Sequence, residues 1–63
     1  MFQIQYLKAG EFVTIPIIYQ VFEDAKCDAY KYKPGVEKRV IEMGTEAVMY
    51  KIPSRSAPSF LNV

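Results

Sequence analysis

From Phe2 to Lys8 the chain alternates, with Phe2, Ile4 and Tyr6 falling to one side and Gln3 and Gln5 to the other. Period-two alternation in an aromatic and β-branched run predicts a half-buried strand. Ala9-Gly10 follows, and glycine takes the positive φ of a tight hairpin turn without steric cost. Glu11 to Ile18 then reads as a second strand, with Val13, Ile15 and Ile17 on one face. Pro16 has no N–H to give to a ladder, so this strand belongs at a sheet edge or a bulge.

The rhythm changes at Val21. Phe22, Ala25, Ala29 and Tyr32 recur at spacings of three, four and three, which is one stripe of a helix running to about Lys33. Glu23 and Asp24 in its first turn and Lys31 and Lys33 in its last complement the helix dipole. Pro34-Gly35 supplies the stop. Gln20 is a weak capping residue, so the N-terminus is predicted to be poorly capped.

Val36 to Met43 fits two patterns. As a strand it leads through Gly44-Thr45 into Glu46 to Ile52, where Val48, Tyr50 and Ile52 alternate with Ala47, Met49 and Lys51. As a helix it places Val36, Val40 and Met43 at i, i+4 and i+7, with Gly44 just past its end. The strand is favoured, because the turn pair and the clear strand behind it make a second hairpin. The fold class is therefore α+β: a small single domain over 1–53, ββαββ, with an antiparallel hairpin-based sheet packed on one helix. The alternative is ββααβ with 36–43 helical. Residues 54–63, rich in Ser and Pro, read as an extended C-terminal tail whose Phe60-Leu61-Asn62-Val63 end has apolar residues able to dock as a short strand.

This order of elements resembles the small β-grasp-like immunoglobulin-binding domains in layout. The stretch from Phe2 through Pro34-Gly35 to Arg39-Val40 also resembles the short phage inhibitors of bacterial RNA polymerase, which have an early hairpin, an alanine-bearing helix and a strand carrying arginine. Both likenesses are topological, and topology alone does not give function.

Composition narrows the chemistry. The chain has no histidine and one cysteine, Cys27. The side chain best suited to proton transfer near neutral pH is missing, and neither a His/Cys zinc shell nor an internal disulfide can be built. Cys27 is read mid-helix beside Asp28, where nothing lowers its pKa, so no nucleophile is assigned. Asp24 and Asp28 lie one turn apart, yet two carboxylates make a poor divalent-cation site and read better as a solvated charged face. The expectation is no enzyme, no catalytic residue, no metal and no cofactor.

A chain of 63 residues buries only about 60% of its unfolded surface. At 51% hydrophobic residues it has more apolar surface than a monomer of that size easily hides, which predicts homo-oligomerisation or a permanent partner. The predicted function is a non-catalytic protein-interaction or inhibitor module, of phage or mobile-element type, acting through an apolar, Tyr-rich surface. Its candidate partner-binding residues are Tyr30 and Tyr32 at the helix end, with Arg39, Met49 and Lys51 on the second hairpin.

The alternative is a single-stranded nucleic-acid binder that stacks bases on tyrosines, with Lys and Arg on phosphates. A net charge of +1 weighs against it. No apolar run is long enough to span a bilayer, and no signal peptide is read, so a cytoplasmic protein with no membrane partner is expected.

Overall fold

The computed structural model describes residues 1–54 of the chain. The predicted tail from Arg55 onward, with its Phe60 to Val63 end, lies outside the described residues. The elements are β1 (Phe2–Lys8), β2 (Glu11–Thr14), α1 (Phe22–Lys31), β3 (Lys38–Glu42) and β4 (Val48–Ile52). The ββαββ reading is the fold that forms, and 36–43 is not helical. The four strands make one sheet in the order β2-β1-β3-β4, every neighbouring pair antiparallel. The two hairpins are thus joined along β1 and β3, which pair from Phe2↔Glu42 to Tyr6↔Lys38.

Local chemistry sets the boundaries. Ala9 and Gly10 both take positive φ, 52° and 84°, which closes the first hairpin as a two-residue turn between Lys8 and Glu11. The second strand is shorter than its pattern predicts and ends at Thr14. Beyond it the chain stays beside β1 without a regular ladder. The Ile15 N–H donates to Ile4 O at 2.9 Å, and Tyr19 exchanges backbone hydrogen bonds with Phe2. Pro16 lies between these contacts, so the irregularity sits at the residue that cannot donate.

The helix begins at Phe22 from an extended Val21 with no side-chain cap, and ends where Tyr32 becomes extended at ψ 127°. Lys33 at φ 46° and Gly35 at φ 87° then turn the chain back toward β3.

One face of the sheet carries the core. Ile4, Ile15 and Val40 pack beneath Ala25 and Ala29, both of which have 0% of their surface exposed. The two alanines give the helix no bulk on this stripe, so its backbone comes close to the sheet. Aromatic side chains close the flanks. Phe22 meets Phe2 edge-on at 5.7 Å between centroids, and Tyr32 leans on Tyr6 at 6.0 Å. The helix covers β1, β3 and β4 and leaves β2 uncovered.

One predicted alternation is corrected. Val48 does not share a face with Tyr50 and Ile52. The ladder pairs Val40 with Tyr50 but Ile41 with Val48, so Met49 is an extra, unpaired residue. A bulge of this kind reverses the facing of everything beyond it. Tyr50 and Ile52 face the helix, and Val48 turns to the opposite side with Ile41.

Candidate functional site: the uncovered face of the sheet

The face opposite the helix has a layered pattern that follows from strand register. Thr14 pairs with Gln5, Gln5 with Arg39, and Arg39 with Lys51, so one polar row crosses all four strands. On one side of it Phe12 pairs with Leu7. On the other Ile41 pairs with Val48, with Gln3 beside Ile41. Ile41 is buried although it lies outside the helix-side core, and Val48 is 40% exposed.

Side-chain contacts lock the row. The Gln5 Nε2 donates to Thr14 Oγ1 at 3.0 Å, and the Arg39 Nε donates to Gln5 Oε1 at 2.6 Å. The Arg39 guanidinium carbon lies 3.9 Å from the centroid of the Phe12 ring. That distance is well inside the range of cation–π attraction.

The five residues singled out from the sequence do not form one surface. Arg39 and Lys51 are neighbours on the uncovered face, and Met49 is the exposed bulge residue at the β4 edge. Tyr30 and Tyr32 belong to the helix layer on the other side of the sheet. The Tyr30 hydroxyl is hydrogen-bonded to the Tyr50 hydroxyl, and that bond raises the Tyr30 pKa, with burial adding to it. Lys26 sits over the Tyr50 ring at 4.9 Å, and Lys33 over Tyr6 and Tyr32 at 5.0 and 5.7 Å. All three strand-side tyrosines, Tyr6, Tyr19 and Tyr50, pack on the helix side.

Sequence reasoning about the face opposite the helix places Gln3, Gln5, Leu7, Phe12, Thr14, Ile18 and Met49 there, with Ile41 or Met43 as further candidates; Ile18 lies beyond the end of β2 and Met49 is the unpaired bulge residue. Arg39 and Lys51 join them in register. The missing signal was the β1–β3 pairing, which brings residues 34 apart into contact.

A second feature lies where the helix leaves β2 bare. An open groove of about 220 Å³ is floored by Ile4, Ile15 and Ile17 and rimmed by Tyr19, Asp28 and Lys31. This is below the ~300–1,000 Å³ of most small-molecule sites. Its rim is tied by the Tyr19 hydroxyl, which donates to Asp28 Oδ2 at 2.8 Å. Burial, then the hydrogen bond and negative charge of Asp28, push the Tyr19 pKa from 10.0 up to about 12.

A phenol whose pKa is raised on folding adds stability that is complete below its unfolded value. That contribution is lost as pH climbs from 10.0 toward about 12. Two units correspond to about 2.7 kcal/mol, which solvent screening at this largely open site reduces to about 1 kcal/mol. Urea midpoints compared at about pH 9 and about pH 11.5 should therefore fall further for the wild type than for Tyr19→Phe. Equal falls would remove the Tyr19–Asp28 bond as the cause.

Among the described residues, no three His, Cys, Asp or Glu side chains gather where they could hold a metal ion. Cys27 is exposed and unpaired. No helix among the described residues is long and apolar enough to cross a membrane. No family model matches the chain, and neither a curated protein nor a solved structure is significantly similar to it.

Proposed function

We propose that this chain is a small binding module that acts without catalysis, and that its uncovered sheet face takes a protein partner. The observation that carries this reading is the face itself. A sheet has two faces and the helix covers one, while the other presents Leu7 and Phe12 on one flank of a fixed polar row and Val48, beside the buried Ile41, on the other. Apolar contacts around a central, ordered arginine are the composition of protein-binding hot spots. An inhibitor that works by occupying a partner's surface is one form of such a module.

Two arguments set the partner's class. Base stacking needs free aromatic rings, and the ring on this face, Phe12, already lies under Arg39. Tyr6, Tyr19 and Tyr50 pack on the helix side, and the exposed Tyr30 and Tyr32 also lie in the helix layer, away from this face. Self-association through this face would bring two Arg39–Lys51 pairs together, and like charges oppose that. A different polypeptide therefore fits better than an oligonucleotide or a second copy.

The test places a photo-crosslinking amino acid at position 48, on the uncovered face, and as a control at position 23 on the exposed side of the helix. Irradiation in cells should give nuclease-resistant protein adducts from 48 and not from 23. Nuclease-sensitive adducts, or equal yields from both positions, would overturn the reading. An adduct of twice the chain's mass would make the occupant a second copy.

A further inference from the structure

The polar row is set up for one kind of ligand atom. Arg39 is held before any ligand arrives, because its guanidinium rests against the Phe12 ring and its Nε is bound by Gln5, itself held by Thr14. The hydrogen bond that Arg39 makes among the described residues uses Nε, the edge turned toward Gln5. Its two terminal nitrogens form the planar fork that matches a carboxylate with two parallel hydrogen bonds. Holding the fork in advance removes most of the side-chain entropy that binding would otherwise cost.

A second, independent observation points the same way. Lys51 is the cross-strand partner of Arg39. Like charges directly opposite each other destabilise a sheet, and the other members of the row, Gln5 and Thr14, carry no negative charge. An anion placed against the pair removes that repulsion.

Resting on the open-face reading, we propose that the partner sets an aspartate or glutamate side chain against Arg39 and Lys51. Its neighbouring apolar residues contact Phe12 and Leu7 on one side and Val48 on the other. Successive rows on one face are two residues apart along a strand, roughly 6–7 Å. An extended partner segment that follows the strands therefore presents apolar, acidic and apolar residues at alternate positions. A phosphodiester would also suit the fork, but it brings bases, and the aromatic ring on this face is already occupied by Arg39.

The test uses the full chain, labelled with nitrogen-15, and the capped peptide Leu-Ser-Glu-Ser-Leu as the probe. Adding it should shift the Arg39 Nε–H signal and the backbone amides of Gln5 and Lys51. The Gln-for-Glu peptide should bind at least ten-fold more weakly, the scale of one charge-assisted bidentate contact. Arg39→Lys keeps the charge and loses the fork, and should weaken the Glu peptide by a similar factor while the spectrum stays dispersed. Lys51→Gln, at an exposed position, gives a second reading of several-fold should Arg39→Lys disturb the fold.

Equal affinity for the Glu and Gln peptides would overturn the carboxylate site and leave the open-face reading standing. No shift on this face from either peptide would overturn both. Tighter, salt-sensitive binding of oligothymidylate at the same signals would also overturn both, in favour of phosphate.

Discussion

Ile4→Ala should remove about half of the protein's stability or more. Ile4 is 1% exposed at the centre of the core, on the inner strand β1, under Ala25 and Ala29 and beside Val40. Truncating a buried isoleucine to alanine costs about 2–5 kcal/mol, the upper part of that range applying where neighbours cannot close the gap. Here two of the residues packed with it are alanines on the helix, whose methyl groups cannot swing into the void. Against this stands a total stability of roughly 3–9 kcal/mol for a chain of this length. Urea denaturation followed by circular dichroism is the direct measurement. A loss under about 1 kcal/mol would mean that the helix settles onto the sheet and refills the space.

The second large effect is expected at Lys38, the largest fully buried side chain, 1% exposed and on the core face of β3. Its ammonium binds backbone and, among the described residues, no carboxylate: Nζ donates to Lys33 O at 2.8 Å and to Val36 O at 3.1 Å. Those carbonyls belong to the turn between helix and strand, where Lys33 and Gly35 hold positive φ. The lysine thus fastens that turn to the sheet from beneath, and its aliphatic stem fills the space under it.

Lys38→Ala removes both roles and should cost about 2–4 kcal/mol. Lys38→Met keeps the stem and should cost about half that or less. Equal losses would mean that the carbonyl contacts alone matter. Burial also lowers the Lys38 pKa below 10.5. The charged form is therefore penalised in the fold at neutral pH. The unfolded chain holds the proton longer as pH rises, so this residue's penalty fades as pH approaches 10.5. Lys38→Met should lack that alkaline gain.

Much of the fold is legible in the sequence because the signals are local. The alternation of Phe2 to Tyr6, the Phe22-Ala25-Ala29-Tyr32 stripe and the Ala9-Gly10 turn each act within a few residues, and each forms as its pattern predicts, save that the helix stops at Lys31 and Tyr32 is extended. Where the ladder slips, local reading fails. Nothing in Val48-Met49-Tyr50 announces that Met49 is extra, so Val48 was assigned to the wrong face.

The candidate site was less legible for the same reason. Tyr30, Tyr32, Arg39, Met49 and Lys51 share a basic and aromatic composition, but composition carries no information on facing. The structure divides them between the helix layer, the β4 edge and the open face. The sequence pattern assigns no role to Gln5 or Thr14, since their role exists only once β3 lies beside β1. Lys38 could not be identified as buried from a strand in which a lysine ordinarily reads as a solvent-facing position.

The order of strands also fixes the order of assembly on the ribosome. β1 is made first, yet it lies inside the sheet, flanked by β2 and β3. Its hairpin with β2 can close as soon as it emerges, but its other edge has no partner until residues up to Glu42 have also left the ribosome. Through that interval the nascent chain carries a bare strand edge beside unshielded Phe2, Ile4 and Tyr6, the arrangement most prone to pair with a neighbouring chain. Conditions that delay the docking of β3 should therefore favour aggregation, and conditions that speed it should favour the native fold.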